Sequence, residues 1–167
     1  MKFKRCILAI AVVLFATSNL FAHSEEIQPD FVEELMEQYF EVQQALAADN
    51  FAETQTAATQ YTKILNLQPA LSMKPSIIKI KRAASKLRKA DDLDHARVAF
   101  QKLSTEMQSL VEDVGIKRGT LLYVARCPMA FGNEGGSWIQ ADTVISNPYL
   151  GASMLRCGNI DALGKSK

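Results

Sequence analysis

Histidine is almost missing from this chain. Two occur in 167 residues, His23 and His95, and they form no His-x-x-x-His pair. Cysteine is scarce too, with three in all and no Cys-x-x-Cys. A zinc site therefore finds too few donors. There is no Gly-x-Ser-x-Gly, and no histidine lies near either C-terminal cysteine to activate it, so the chain does not read as an enzyme. Past the N-terminus no apolar run approaches the about 20 residues of a membrane span. A formal charge of +1 argues against a nucleic-acid partner.

What is present begins with the N-terminus. Lys2, Lys4 and Arg5 precede a short apolar run, Ile7 to Ala16, and Leu20-Phe21-Ala22 precede the polar stretch His23-Ser24-Glu25-Glu26. That order predicts a Sec-type secretory signal over 1–22, cut after Ala22, and hence a periplasmic protein. An uncleaved anchor is the alternative, and the apolar run is short for it. Cys6 lies before the apolar core, so it is not placed as a lipoprotein cysteine and leaves with the signal. Removing 22 of 167 residues leaves 145, enough for one domain with a core. Three bases and no acids are lost, which takes the formal charge from +1 to −2.

Residues 28–115 carry four apolar stripes with spacings of three and four, each predicting an amphipathic helix. The first holds Phe31, Leu35, Tyr39, Val42 and Leu46, with Asp30 and Glu33 at capping-box spacing. Thr54, Ala58, Tyr61 and Leu65 follow Asn50-Phe51; Ile77, Ile80, Ala84 and Leu87 follow Pro75; Ala96, Phe100, Leu103, Met107 and Leu110 follow Asp91-Asp92. Short connections favour antiparallel neighbours. The expected fold is mainly α, a four-helix up-and-down bundle with a loop-rich C-terminal cap carrying a short β-hairpin. In that layout one domain spans 23–160, its cap spans 120–160, and 161–167 is a flexible tail. Residues 25–41 hold seven acids and no base, and 74–90 hold seven bases and no acid. Both are read as solvated faces with some complementarity between helices.

In the cap, Thr120 to Ala125 reads as a strand running into Cys127, Gly132 to Gly136 as a turn, Ser137 to Gln140 as a returning strand, and Asn147-Pro148-Tyr149-Leu150-Gly151 as another turn. Two sulfur pairs stand there: Cys127-Pro128-Met129, and Met154-Leu155-Arg156-Cys157. On an extended segment Cys-x-Met points both sulfurs to one side, and Met-x-x-Cys does so on a helical turn. Thiols with thioethers suit Cu(I) or Ag(I). Trp138 and Tyr149, between the pairs, are candidates to shield such a site or to meet the ion by cation–π contact. The residues leave a second reading open. Two exported cysteines commonly pair, and a Cys127–Cys157 disulfide closing the loop between them is worth about 3–4 kcal/mol by chain entropy.

The string Cys127-Pro128-Met129-Ala130-Phe131, Gly135, Trp138, Asn147-Pro148-Tyr149, Gly151, Met154 and Cys157-Gly158 resembles the signature of an uncharacterised bacterial domain family. That family also occurs appended to periplasmic adaptor subunits (membrane fusion proteins) of copper and silver efflux systems. Tyr39-Phe40 with Gln44-Ala45-Leu46-Ala47-Ala48-Asp49 resembles its opening helix, and Ala96-Arg97 with Phe100 and Leu103-Ser104 a later one. The resemblance implies an envelope protein linked to heavy-metal handling, with an efflux adaptor or another efflux component as partner. Cys127, Met129, Met154 and Cys157 carry over as candidate ligands. The expected function is thus Cu(I) or Ag(I) binding for sequestration or transfer. The alternative is a disulfide-closed module that docks on an adaptor without metal.

Overall fold

The computed structural model describes residues 26–117 and 119–163. The expected signal segment 1–22 and the tail beyond 163 lie outside the described residues. Four long helices appear where the apolar stripes fall: α1 (Pro29–Ala47), α2 (Phe51–Leu67), α3 (Pro75–Arg88) and α4 (Leu93–Val114). A 3₁₀ turn, Pro69–Met73, joins α2 to α3. Each helix packs on its neighbours in sequence, and α4 closes back on α1.

The helix starts differ in how they satisfy their free N–H groups. Asn50 caps α2 by accepting from the Glu53 N–H (3.1 Å) while its own amide donates to the Glu53 carboxylate (2.9 Å). Asp92 caps α4 by accepting from the His95 N–H (2.8 Å). The expected Asp30/Glu33 box does not form. Pro29 takes the first helical position, where its fixed φ suits it, so Gln28 becomes the cap residue and uses no side chain. Glu33 instead meets Lys117 (3.2 Å) and accepts from the Thr120 hydroxyl (3.0 Å). Gly115, at φ 88°, ends α4.

The cap is a three-stranded antiparallel sheet in the order β2-β1-β3, made of β1 (Tyr123–Cys127), β2 (Gly136–Gln140) and β3 (Asn159–Ala162). β1 and β2 form the expected hairpin, with Ala125 opposite Trp138 and Cys127 opposite Gly136. β3 is a departure: the chain past Asp161 was expected to be loose, yet Asp161 pairs with Val124, Ala162 pairs with Tyr123, and Leu163 is buried. Its N–H donates to the Leu122 carbonyl (2.8 Å).

Bundle and cap share one core. The side chains of Leu35, Tyr39, Leu46, Tyr61, Ile80, Phe100 and Leu103 are fully buried, and so are Trp138 and Ile139 of β2. Tyr39 joins the two layers, since its ring stacks on Phe100 with centroids 4.9 Å apart. Its hydroxyl pairs with that of Ser104 (2.7 Å) and accepts from the Ile139 N–H (3.0 Å). A polar group this deep needs such partners. Among the described residues no helix is long and apolar enough to cross a membrane. Across the helices, Lys79 meets Glu106 (3.7 Å) and Lys117 also meets Asp30 (3.4 Å). Such exposed pairs contribute little.

Candidate functional site

Cys127 is the last residue of β1. It pairs with Gly136 of β2, β3 runs along the other side of β1 as far as Arg126, and Cys127 is 1% exposed. The chain then turns through Pro128 and Met129 into a distorted turn, Ala130–Asn133, where Phe131 (φ 53°) and Gly132 (φ 67°) are left-handed. It returns along β2 from Gly136, a position without room for a side chain. A Cβ there would approach the Tyr149 ring to 2.8 Å.

The second sulfur comes from a separate loop. Asn147 opens it, with its side-chain oxygen accepting from the Tyr149 N–H (2.8 Å) and the Leu150 N–H (3.1 Å), an Asx turn. The 3₁₀ turn Gly151–Met154 follows, and the Cys157 N–H donates to the Met154 carbonyl (3.0 Å). The outcome is that Sγ of Cys157 lies 2.8 Å from Sγ of Cys127, and both cysteines are free. The hydrogen bond with Cys127 is the main cause that pushes the Cys157 thiol above its ordinary pKa, helped by desolvation and the neighbouring sulfur. The Met129 backbone N–H opposes it weakly.

The structure therefore brings Cys127 and Cys157 together. Met129 and Met154 flank them at the surface, 47% and 38% exposed. Trp138 and Tyr149 lie on the inner side. The indole is fully buried, donates to the Gln140 side chain (3.0 Å), and meets the Tyr149 ring edge-on with centroids 5.6 Å apart. A Cβ on Gly158 would touch the Trp138 ring at 3.5 Å, which places the indole under the residue after Cys157. A cleft of about 430 Å³ opens beside Cys127, walled by Gln101 and Thr105 of α4 and by Arg126 and Ser137 of the sheet.

Three positions that hold this arrangement were not legible as site residues: Asn147, Asp49 and Arg97. Asp49 follows α1, and its carboxylate pairs with Arg97 and accepts from the Ala152 N–H (2.9 Å). Arg97 also donates to the Pro148 carbonyl (3.1 Å). The sequence signals were the Asn-Pro turn and the place of all three residues in the strings of the family resemblance, which gave them no role.

A family model described as a protein of unknown function (DUF3347) matches residues 35–119. The chain belongs to that family. The matched span of this DUF3347 chain runs from α1 to the end of α4 and stops short of β1, so both sulfur pairs lie beyond it. No curated protein and no solved structure matches the chain. Among the described residues no three His, Cys, Asp or Glu side chains converge on one point. A metal held at this site would draw on the two thiols, with Met129 and Met154 as candidates at the surface beside them in sequence.

Proposed function

We propose that this chain is a periplasmic metal-holding module that takes up Cu(I) or Ag(I) at Cys127 and Cys157, with Met129 and Met154 as further donors. It would sequester the ion or pass it to an efflux adaptor. The observation that carries this reading is the 2.8 Å approach of two thiols drawn from separate segments of the cap. The donor set supports it, because thiolate and thioether sulfur prefer soft monovalent ions. The layout supports it as well. Trp138 and Tyr149 close the inner side, while both methionines reach solvent, where an ion enters or leaves.

The same separation favours a second reading. Two thiols in contact within an oxidising compartment readily pair, and the chain would then be a disulfide-closed module that docks on an efflux adaptor without metal. A thiol count on protein recovered from the periplasm separates the two. Two free thiols that disappear on anaerobic addition of Cu(I) support the metal reading. No free thiols, and insensitivity to mild reductant, leave only the second. Replacing Met129 and Met154 together by Ala should weaken retention of Cu(I) against a competing chelator and leave helix content unchanged. Unchanged retention removes the thioethers from the ligand set.

A further inference from the structure

Cys127 and Cys157 owe their positions to different causes. Cys127 is held at the end of β1 by its pairing with Gly136 of β2, next to Arg126, which is paired on both sides. Cys157 sits in irregular chain between a 3₁₀ turn and β3, where a sulfur would ordinarily have wide latitude. One buried side chain removes that latitude. Asn147 is 0% exposed, and its Nδ2 donates to the Cys157 carbonyl (2.9 Å). Its other polar groups tie down the rest of the loop: Oδ1 accepts from Tyr149 and Leu150, the backbone N–H donates to the Leu155 carbonyl (2.9 Å), and the carbonyl accepts from the Gly151 N–H (3.2 Å).

We infer that Asn147 is the positioning residue of the thiol pair: its carboxamide holds the Cys157 backbone so that Sγ of Cys157 meets Sγ of Cys127. The task needs an acceptor and a donor on one short side chain. Only the carboxamide supplies both at that length. Aspartate keeps the acceptor for Tyr149 and Leu150 but turns a second oxygen toward the Cys157 carbonyl. Serine is too short to span from the turn to Cys157. Asn147 thus acts through Cys157, and its effect is preorganisation: the two sulfurs meet without ordering a loop first. The inference rests on the reading that the thiol pair is the working site, but it concerns the pairing itself and not the ion.

The test measures the effective concentration of the two thiols toward each other, in glutathione redox buffers, for the full chain carrying Cys6→Ser so that only this pair reports. Asn147→Asp should lower that concentration by roughly tenfold, about the effect of one lost buried hydrogen bond. The thermal midpoint falls with the lost hydrogen bond, so the comparison is made well below it, where the near-ultraviolet signal of Trp138 should be unchanged. Chelator competition with Cu(I) is run on the same proteins. If the wild type holds no Cu(I) yet the substitution still lowers the effective concentration, the metal reading fails and the positioning role stands. If the variant keeps both its thiol equilibrium and its Cu(I) affinity, the positioning role is overturned and the metal reading survives. Should Asn147→Asp not fold, the unsubstituted protein decides: the Asn147 carboxamide protons should exchange slowly and show a nuclear Overhauser contact to Cys157. Fast exchange with no such contact overturns the inference.

Discussion

A Cβ atom on Gly151 would collide with Oδ1 of Asp49. These two residues lie far apart in sequence and meet where the cap loop touches the bundle. Asp49 stands just past α1 at φ 55°. One of its oxygens pairs with Arg97 and the other accepts from the Ala152 N–H. The 3₁₀ turn that carries Met154 is thereby pinned to the end of the helices, and Gly151 is the gap that lets the carboxylate in. Gly151 also has φ 56°, where an L side chain is disfavoured. Gly151→Ala should therefore cost more than the roughly 1–2 kcal/mol of left-handed strain alone, because Asp49 must also move. Urea unfolding measures it. A loss below that range would mean the loop shifts freely and the clamp is loose.

Asp49 itself should show a graded response. Asn tolerates the left-handed backbone and keeps an acceptor for Ala152, so Asp49→Asn loses the charge and the acceptor that face Arg97. Asp49→Ala removes both acceptors, leaves the largely buried Arg97 only Pro148 and the exposed Asp94 as partners, and adds backbone strain. We expect a loss of about 1 kcal/mol for Asn and about 2–3 kcal/mol for Ala. The loss for Asn should shrink in high salt as the ion pair is screened. Equal losses for the two variants would indicate that the charge facing Arg97 alone sets the role of Asp49, with neither the Ala152 contact nor the left-handed backbone adding to it.

The helices were readable because their cause is local. Phe100, Leu103, Met107 and Leu110 recur on one face whatever surrounds them, and Asn50 and Asp92 cap by contacts three residues away. β3 left no such trace: of Asn159, Ile160, Asp161 and Ala162, three are exposed and one is half-buried, so there was no buried face for an alternating pattern to announce. Asp30 misled because Pro29 claims the first helical position and shifts the cap back to Gln28. At the site, the spacing of Cys127, Met129, Met154 and Cys157 was visible, and the turn at Asn147-Pro148 was too. What joins them was not. Asn147 to Cys157, and Asp49 to Ala152, are hydrogen bonds between a side chain and a distant backbone group, and nothing in the periodicity of either segment encodes its partner.

The contact between the thiols makes Cys157 less reactive than an isolated cysteine. Its pKa is raised chiefly by the hydrogen bond with Cys127, so at about pH 7.5 less of it is thiolate, the form that reacts. Cys127→Ala removes that cause. In reduced, metal-free protein, iodoacetamide should modify Cys157 several-fold faster in the variant than in the wild type at about pH 7.5. The two rates should converge once the pH is high enough to ionise Cys157 in the wild type as well. Slower modification in the variant would mean that Cys127 favours the thiolate.

Alkaline pH probes the junction between bundle and cap. Burial pushes Tyr39, Tyr61 and Tyr149 well above the ordinary tyrosine pKa, with hydrogen bonds to Ser104 and the Ile139 backbone opposing the shift only in part at Tyr39. The sign follows from proton counts. Above about pH 10 these tyrosines ionise in the unfolded chain and stay protonated in the folded one, so the unfolded state binds fewer protons and stability falls as pH rises. The contribution is fully present below about pH 10 and is lost above it, at about 1.4 kcal/mol per pH unit for each tyrosine, or roughly 4 for three. Phenolate absorbance from these three should therefore appear together with the loss of helical circular dichroism, in one cooperative step. Reversible ionisation of all of them near pH 10 with the helices intact would show that Tyr39 is not sealed between α1, α4 and β2.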